Sequence, residues 1–328
     1  MKIEILGATG AVGRQMLECI EERNIEADEI RLFASARSAG KTMKYKGTDL
    51  VIQEATPEAL QGLDYVLGAV SNAFSRQYAP LIKAAGAVYI DNSSAFRLED
   101  DVPLVVPEIN GEDALKHNGI IANPNCSTII TMMAAAPIAR ISPIKKITAT
   151  TFQAVSGAGI GGLQELNSQV QAIHDGKEPE IKVFPQQIAF NCIAEIGSYN
   201  ENGYTAEEMK MQNEGRRILH LPDLKVTCTC VRVPVYRSHS ISFTAVTEDK
   251  VTVEQAREAI VNAEGTKLVE DHVPSPLETS NQDIVYVGRI RADLCEENGL
   301  AMWCCGDQIR KGAASNAVGI IRYLHDHL

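Results

Sequence analysis

Of the eight cysteines in this 328-residue chain, Cys126 stands where a thiol could act as a nucleophile. It lies in Asn123-Pro124-Asn125-Cys126-Ser127-Thr128, between a short apolar run at 119–123 and a long helix-like run that continues to Pro137. Pro124 steers Asn123 away from helical angles, while Ser127, Thr128 and the apolar residues after them fit a first helical turn. Cys126 is therefore expected at a helix N-terminus, where unpaired N–H groups and the positive dipole end favour a thiolate. The other cysteines (19, 192, 228, 230, 295, 304 and 305) read as small apolar fillers. None forms a C-x-x-C pair, so no metal site is expected, and reduced thiols point to a cytoplasmic setting.

A second chemical signal opens the chain. The apolar run 2–6 leads directly into Gly7-Ala8-Thr9-Gly10-Ala11-Val12-Gly13 and then a pattern with Val12, Met16, Leu17 and Ile20 on one helical face. Glycines at such a turn let the backbone approach a pyrophosphate, and the helix N-terminus supplies free donors. Gly7, Thr9, Gly10, Ala11, Val12 and Gly13 are thus the expected dinucleotide turn. At the end of the second apolar run comes "FASARSAGK", with Ser35, Arg37, Ser38 and Lys41 and no carboxylate. An acidic residue there would bond the ribose 2′-hydroxyl of NAD, so its replacement by cationic and hydroxyl groups favours the 2′-phosphate of NADP.

These residues need a scaffold. Runs at 2–6, 29–35, 65–70, 87–91 and 119–123 read as strands with helical patterns between several of them, which predicts an α/β, Rossmann-type, doubly wound parallel sheet. Beyond Cys126, β-rich runs at 145–155, 225–235 and 240–247 and helical patterns at 161–174 and 253–264 predict a second domain of α+β type. The expected division is 1–125 for cofactor binding and 126–311 for catalysis and dimerisation. The helix 312–328, apolar at Ala313, Ala317, Ile320, Ile321 and Leu324, is expected to return to the first domain. If 240–247 is a strand, His239 shares a face with Ile241 and Phe243 and reads as partly buried. The hydrophobic fraction of 45% suits a folded chain, while the net charge of −11 opposes nucleic acid and anionic membrane, so an anionic substrate needs a local cationic cluster. Neither a leader-like start nor a spanning segment is legible.

Eight ordered motifs carry a resemblance across nearly the whole length: "GATGAVG", "FASARSAGK", "NSSAFR" (92–97), "NPNCST" (123–128), "FQAVSGAG" (152–159), "EEMK" (207–210), "CVRVPVYRSHS" (230–240) and "GDQIRKGAA" (306–314). Together they resemble the aspartate-β-semialdehyde dehydrogenases. The resemblance implies NADPH-dependent, reversible reductive dephosphorylation of β-aspartyl phosphate to aspartate semialdehyde through a cysteine thioester, in lysine, threonine and methionine biosynthesis. It also implies a homodimer or dimer of dimers.

By that resemblance Cys126 carries the acyl group, His239 serves as acid and base, and Gln153 orients the acyl group. Arg232 clamps the substrate carboxylate, Glu207 receives the ammonium, and Arg97 and Lys210 hold phosphate with help from Asn125. Ser156, Gly157, Gln308 and Asn316 match positions beside the cofactor. The rival readings are an N-acetyl-glutamyl-phosphate reductase, whose motif around the cysteine usually resembles PGCYPT, a nucleotide-binding relative without catalysis, and a zinc module disfavoured by the cysteine spacing.

Overall fold

The computed structural model describes residues 1–327 and forms two compact units, one of residues 1–125 with 313–327 and one of residues 126–312. Leu328, the last residue of the expected C-terminal helix, lies outside the described residues.

The first unit begins with β1 (Lys2–Leu6), α1 (Ala11–Glu22) and β2 (Glu29–Ala34), then a hairpin of β3 (Thr42–Tyr45) and β4 (Thr48–Glu54). It continues through β5 (Tyr65–Gly68), α2 (Asn72–Ala84), β6 (Val88–Asp91), the one-turn α3 (Pro107–Asn110) and β7 (Ile120–Ala122). The strand order is β3-β4-β2-β1-β5-β6-β7, parallel throughout except for β3 against β4. The order reverses direction at β1, which places the end of β1 at the switch point of a doubly wound sheet, where such folds bind ligands. That is the architecture the alternating pattern predicts.

The second unit contains α4 (Cys126–Ala139), β8 (Ile144–Gln153), α5 (Gly159–His174), α6 (Ala206–Ile218), β9 (Lys225–Arg232) and β10 (His239–Thr247). After these come α7 (Val253–Asn262), β11 (Thr266–Val269), the short α8 (Pro276–Thr279), β12 (Val285–Ala292) and β13 (Gly299–Gly306). Its mixed sheet has the order β11-β12-β13-β10-β8-β9. Residues 127–138 of α4 are all buried, so this helix is apolar all round and runs through the core of the unit.

The chain then re-enters the first unit as α9 (Ser315–His327). Ala317, Ile320, Ile321 and Leu324 are fully buried in one cluster with Met16, Leu17 and Ile20 of α1. Burial of an Ile or Leu side chain contributes about 1.5–3 kcal/mol, so this face alone anchors the helix. Phe33, Tyr78, Ile82 and Tyr89 form a second cluster within the same unit. Among the described residues, no helix is long and apolar enough to cross a membrane.

Candidate active site

Strand registry brings the chemistry of the second unit to one end of its sheet. β8 and β9 are parallel with Gln153 opposite Arg232, so both strands finish at the same level. β10 runs antiparallel to β8 with Ser240 opposite Phe152, which puts His239, the first residue of β10, beside the end of β8. Cys126 is the first residue of α4, and its Sγ lies 3.4 Å from Nε2 of His239.

The residue after Gln153 organises this cluster. The backbone N–H of Ala154 donates to Nδ1 of His239 at 3.1 Å, and its carbonyl accepts from Nη1 of Arg232 at 2.7 Å. One peptide segment therefore orients both side chains. His239 is fully buried; burial and then the nearby Arg232 cation pull its pKa down to about 3, so the imidazole is neutral. Burial also lowers the Arg232 pKa, against which the Cys126 sulfur and Glu207 act in the opposite direction.

Gln153 is held from both sides, accepting from Thr151 Oγ1 at 3.0 Å and donating to Glu207 Oε1 at 3.2 Å. Glu207 in turn pairs with Lys210 one turn along α6 at 2.8 Å. The helix is placed by a capping box: Thr205 Oγ1 accepts from Glu208 N, and Glu208 accepts from Thr205 N. Glu208 also accepts from the backbone N–H of Cys230 in β9 at 3.0 Å, which ties α6 to the strand that ends in Arg232.

Gln308 accepts from Ser238 N at 2.7 Å and donates to Ser156 Oγ, so these two expected cofactor neighbours brace the residue before His239. Ser238 has φ 72°, a left-handed conformation uncommon for a residue with a Cβ. The adjacent Asp307, fully buried, accepts from Arg237 Nε at 2.5 Å and from Asn281 N at 2.7 Å. At Gly157, a Cβ would fall 2.8 Å from Arg232 Nη1 and 3.3 Å from His239 Cε1; at Gly312 it would fall 2.8 Å from the Cβ of Cys126. Bare backbone at both places leaves room for the reactive side chains. Sequence reasoning missed Ala154, Asp307 and Gly312; the last two sit inside "GDQIRKGAA", whereas an alanine acting through its backbone leaves no signal in its side chain.

In the first unit, Gly7 has φ 87° and a Cβ there would fall 2.3 Å from the carbonyl oxygen of Ala69, while a Cβ on Gly13 would fall 2.3 Å from that of Gly7. The turn and helix start are thus closed to side chains. Gly10 is the N-cap of α1 and supplies no side-chain acceptor, so Ala11, Val12 and Gly13 open a helix without a side-chain cap, and the carbonyl of Thr9 accepts from Arg14. A cavity of about 470 Å³ adjoins this turn, lined by Gly7, Ser35, Glu54, Phe74 and Tyr78 among others. Arg37 is exposed and Ser38 half-buried just past β2. The cradle, the helix mouth and the cavity fit the pyrophosphate and adenosine portion of a dinucleotide. Glu54 was not anticipated, because it comes from the hairpin strand β4.

The loop after β6 is anchored by buried Asp91, which accepts from the N–H of Ser93 at 3.0 Å and from its hydroxyl at 2.6 Å. Arg97, also buried, donates to the carbonyl of Asn92 at 2.8 Å. Asn125 is buried at the end of the first unit. Asn316 is fully buried and spends both amide hydrogens within the first unit, on Val105 O at 3.0 Å and Asn123 Oδ1 at 2.7 Å. Its observed work is to tie α9 to the segment that follows β7.

Known proteins can now be set beside this geometry. Residues 2–117 match the family model described as the semialdehyde dehydrogenase NAD binding domain, and residues 136–311 match the semialdehyde dehydrogenase dimerisation domain. An aspartate-semialdehyde dehydrogenase from Synechocystis sp. is 47% identical, with 99% of this chain and 97% of that protein covered. The chain belongs to the aspartate-semialdehyde dehydrogenase family. A Bacillus subtilis aspartate-semialdehyde dehydrogenase is 44% identical over 99% of this chain and 97% of its own length. The solved structure of aspartate semialdehyde dehydrogenase II from Vibrio cholerae, complexed with ASA, superposes with a TM-score of 0.97 at 40% identity, covering 99% of this chain and 98% of that one.

Proposed function

We propose that this chain is an NADPH-dependent aspartate-semialdehyde dehydrogenase that converts β-aspartyl phosphate to aspartate semialdehyde and phosphate, reversibly, in the biosynthesis of lysine, threonine and methionine. The observation that carries this reading is the helix-terminal Cys126 sulfur 3.4 Å from His239 Nε2. The sulfur attacks the acyl carbonyl, the carbon–oxygen bond to phosphate breaks, and phosphate leaves with the electron pair, giving a thioester on Cys126. NADPH, when bound, supplies the hydride that reduces that carbonyl. Collapse of the resulting alkoxide expels the Cys126 thiolate and releases the aldehyde, with His239 tending the oxygen on which charge develops.

The remaining groups match the functional groups of the substrate. Arg232 offers a planar fork to the α-carboxylate and Glu207 a carboxylate to the ammonium, while Gln153 orients the acyl group without adding charge. Arg97, Lys210 and Asn125 serve the phosphate. Gly7, Thr9, Gly10, Ala11, Val12 and Gly13 hold the pyrophosphate, Ser35, Arg37 and Ser38 the 2′-phosphate, and Ser156, Gly157, Gln308 and Asn316 the nicotinamide side. A nucleophilic thiol needs a reducing compartment, which supports the cytoplasm, and the match to a dimerisation domain supports a homodimer or a dimer of dimers.

Cys126→Ser tests the reading. NADPH binding should persist while turnover of aspartate semialdehyde with phosphate and NADP⁺ falls by at least about 10³-fold, and mass spectrometry of the parent enzyme should find the acyl adduct on Cys126. A serine variant that turns over normally, or an adduct on another residue, sinks it.

A further inference from the structure

We infer that the segment 180–193, strapped down by Glu165 and Gln169 of α5, holds Phe184 against the guanidinium of Arg232 and thereby fixes where that guanidinium meets the carboxylate of the substrate. Phe184 is then a positioning residue for substrate selection. The inference deepens the proposed function and rests on it for the carboxylate that Arg232 receives. Between α5 and α6, residues 175–205 form neither helix nor strand apart from isolated bridges. Compact domains seldom keep so long an irregular stretch without a task for it.

Two side chains of α5, one turn apart and both buried, hold this stretch in place. Glu165 accepts through Oε2 from the N–H groups of Lys182, at 3.2 Å, and of Val183, and through Oε1 from Gln169 Nε2 at 3.0 Å. Gln169 accepts from the N–H groups of Ile188 at 2.9 Å and Ala189 at 3.0 Å, and it donates to the carbonyl of Glu180 at 3.0 Å. A buried carboxylate and a buried amide are thus committed to the backbone of one loop. Such bonds give an irregular segment a single conformation, because leaving its dry N–H groups unpaired is costly.

That conformation presents Phe184. Its ring is buried in a cluster with Val155, Leu166 and Ile188, and α5 admits it because Gly162 has no side chain: a Cβ there would lie 3.1 Å from Phe184 Cζ. Cζ of Arg232 lies over the ring, 5.9 Å from its centroid and within reach of cation–π attraction. The same segment then pairs with the main chain of Arg232, whose carbonyl accepts from Ile193 N at 3.0 Å and whose N–H donates to the Ile193 carbonyl at 2.8 Å. With Nη1 donating to Ala154 O at 2.7 Å, Arg232 is fixed at its backbone, at one edge of the guanidinium and at its face. A ring on the face takes none of the in-plane donors, so those not given to Ala154 serve a carboxylate. In the proposed reaction one end of the substrate is bonded to Cys126 and the other is held by Arg232. A guanidinium that cannot drift therefore sets the spacing between acyl carbon and carboxylate that a productive substrate must match.

The test is kinetic and uses the full chain with aspartate semialdehyde, phosphate and NADP⁺. Phe184→Leu keeps the space filled with apolar atoms and removes the aromatic face. It should raise the KM for aspartate semialdehyde about 3- to 30-fold, the range of one cation–π contact, while the KM values for phosphate and NADP⁺ stay nearly constant. Phe184→Tyr restores the face and should return the KM toward that of the parent. Glu165→Gln weakens the strap with Phe184 and Arg232 unaltered; it should move the same KM in the same direction, and it carries the test if the leucine variant does not fold. In a double-mutant cycle, Arg232→Gln should itself raise that KM, and Phe184→Leu added to it should raise it little further. The parent KM in Phe184→Leu or Glu165→Gln, an equal weakening of phosphate and NADP⁺, or fully additive losses in the cycle overturns the inference alone. An Arg232→Gln variant with the parent KM would instead defeat the role given to Arg232 in the proposed function, and the inference with it.

Discussion

At the scale of single residues, the proposed nucleophile and the glycine turn are legible because their chemistry depends on neighbours in sequence: Pro124 before the thiol, and an apolar run before Gly7. The same locality lets Arg37 be tested alone. It is exposed just past β2, with no carboxylate in the segment that follows the strand. If Arg37 meets the 2′-phosphate, Arg37→Glu should raise the KM for NADPH about tenfold or more, since a hydrogen bond to a charged group contributes about 1.5–3 kcal/mol. The KM for NADH, which lacks that phosphate, should stay nearly constant, and steady-state kinetics with both cofactors decides; equal losses would sink the assignment. By contrast, Ala154 was illegible because its function resides in a peptide group that every residue but proline shares. Gly157 was legible by motif alone, while the reason for it, the crowding of Arg232 and His239, requires three distant segments to meet.

Between residues and the molecule stand the elements, and here the sequence yields its information unevenly. Strands of the first unit are clear because buried parallel strands read as short apolar runs. The β3–β4 hairpin escapes that pattern: its strands are largely exposed and it turns at Lys46-Gly47, both with positive φ, where Asn-Gly or Asp-Gly would have given the stronger signal. β13 carries paired cysteines and a lone tryptophan in a run that alternates poorly, and α6 is polar along most of its length. The capping box of α6 was nevertheless present in the spacing of Thr205 and Glu208. That box holds the helix carrying Glu207 and Lys210, and it can be weakened by degrees. Thr205→Ala should lower stability by about 1 kcal/mol, the ordinary effect of losing an N-cap. Glu208→Ala should lower it by more, because it strands the buried N–H groups of both Thr205 and Cys230. Chemical denaturation of the two variants gives the comparison, and the reverse ranking would show that Glu208 does not join α6 to β9.

For the whole molecule, an acidic chain with net charge −11 must place its anions in water or give them buried partners, and Glu4 does neither. Glu4, in the middle of β1, is fully buried, and neither of its oxygens has a hydrogen-bonding partner. Burial lifts its pKa to about 8, with Arg31 pulling weakly the other way. The unfolded carboxyl releases its proton near the ordinary glutamate value of 4.5, while the folded one holds it to about 8, so between those limits the native state binds more protons. The contribution is fully present below about pH 4.5 and is lost progressively as pH rises through the folded value near 8. The hydroxyl pKa values of Tyr78 and Tyr89 are raised, first by burial and then by nearby carboxylates, Glu4 among them. Glu4→Leu removes the ionisable group and fills the space with apolar atoms, which for a buried unpaired charge is stabilising. The variant should therefore gain on the parent as pH increases, by little at pH 5 and by most at pH 8, in equilibrium denaturation curves measured across that interval. Parallel stability profiles for the two proteins would show that Glu4 is solvated or paired in solution and that β1 hides no charge.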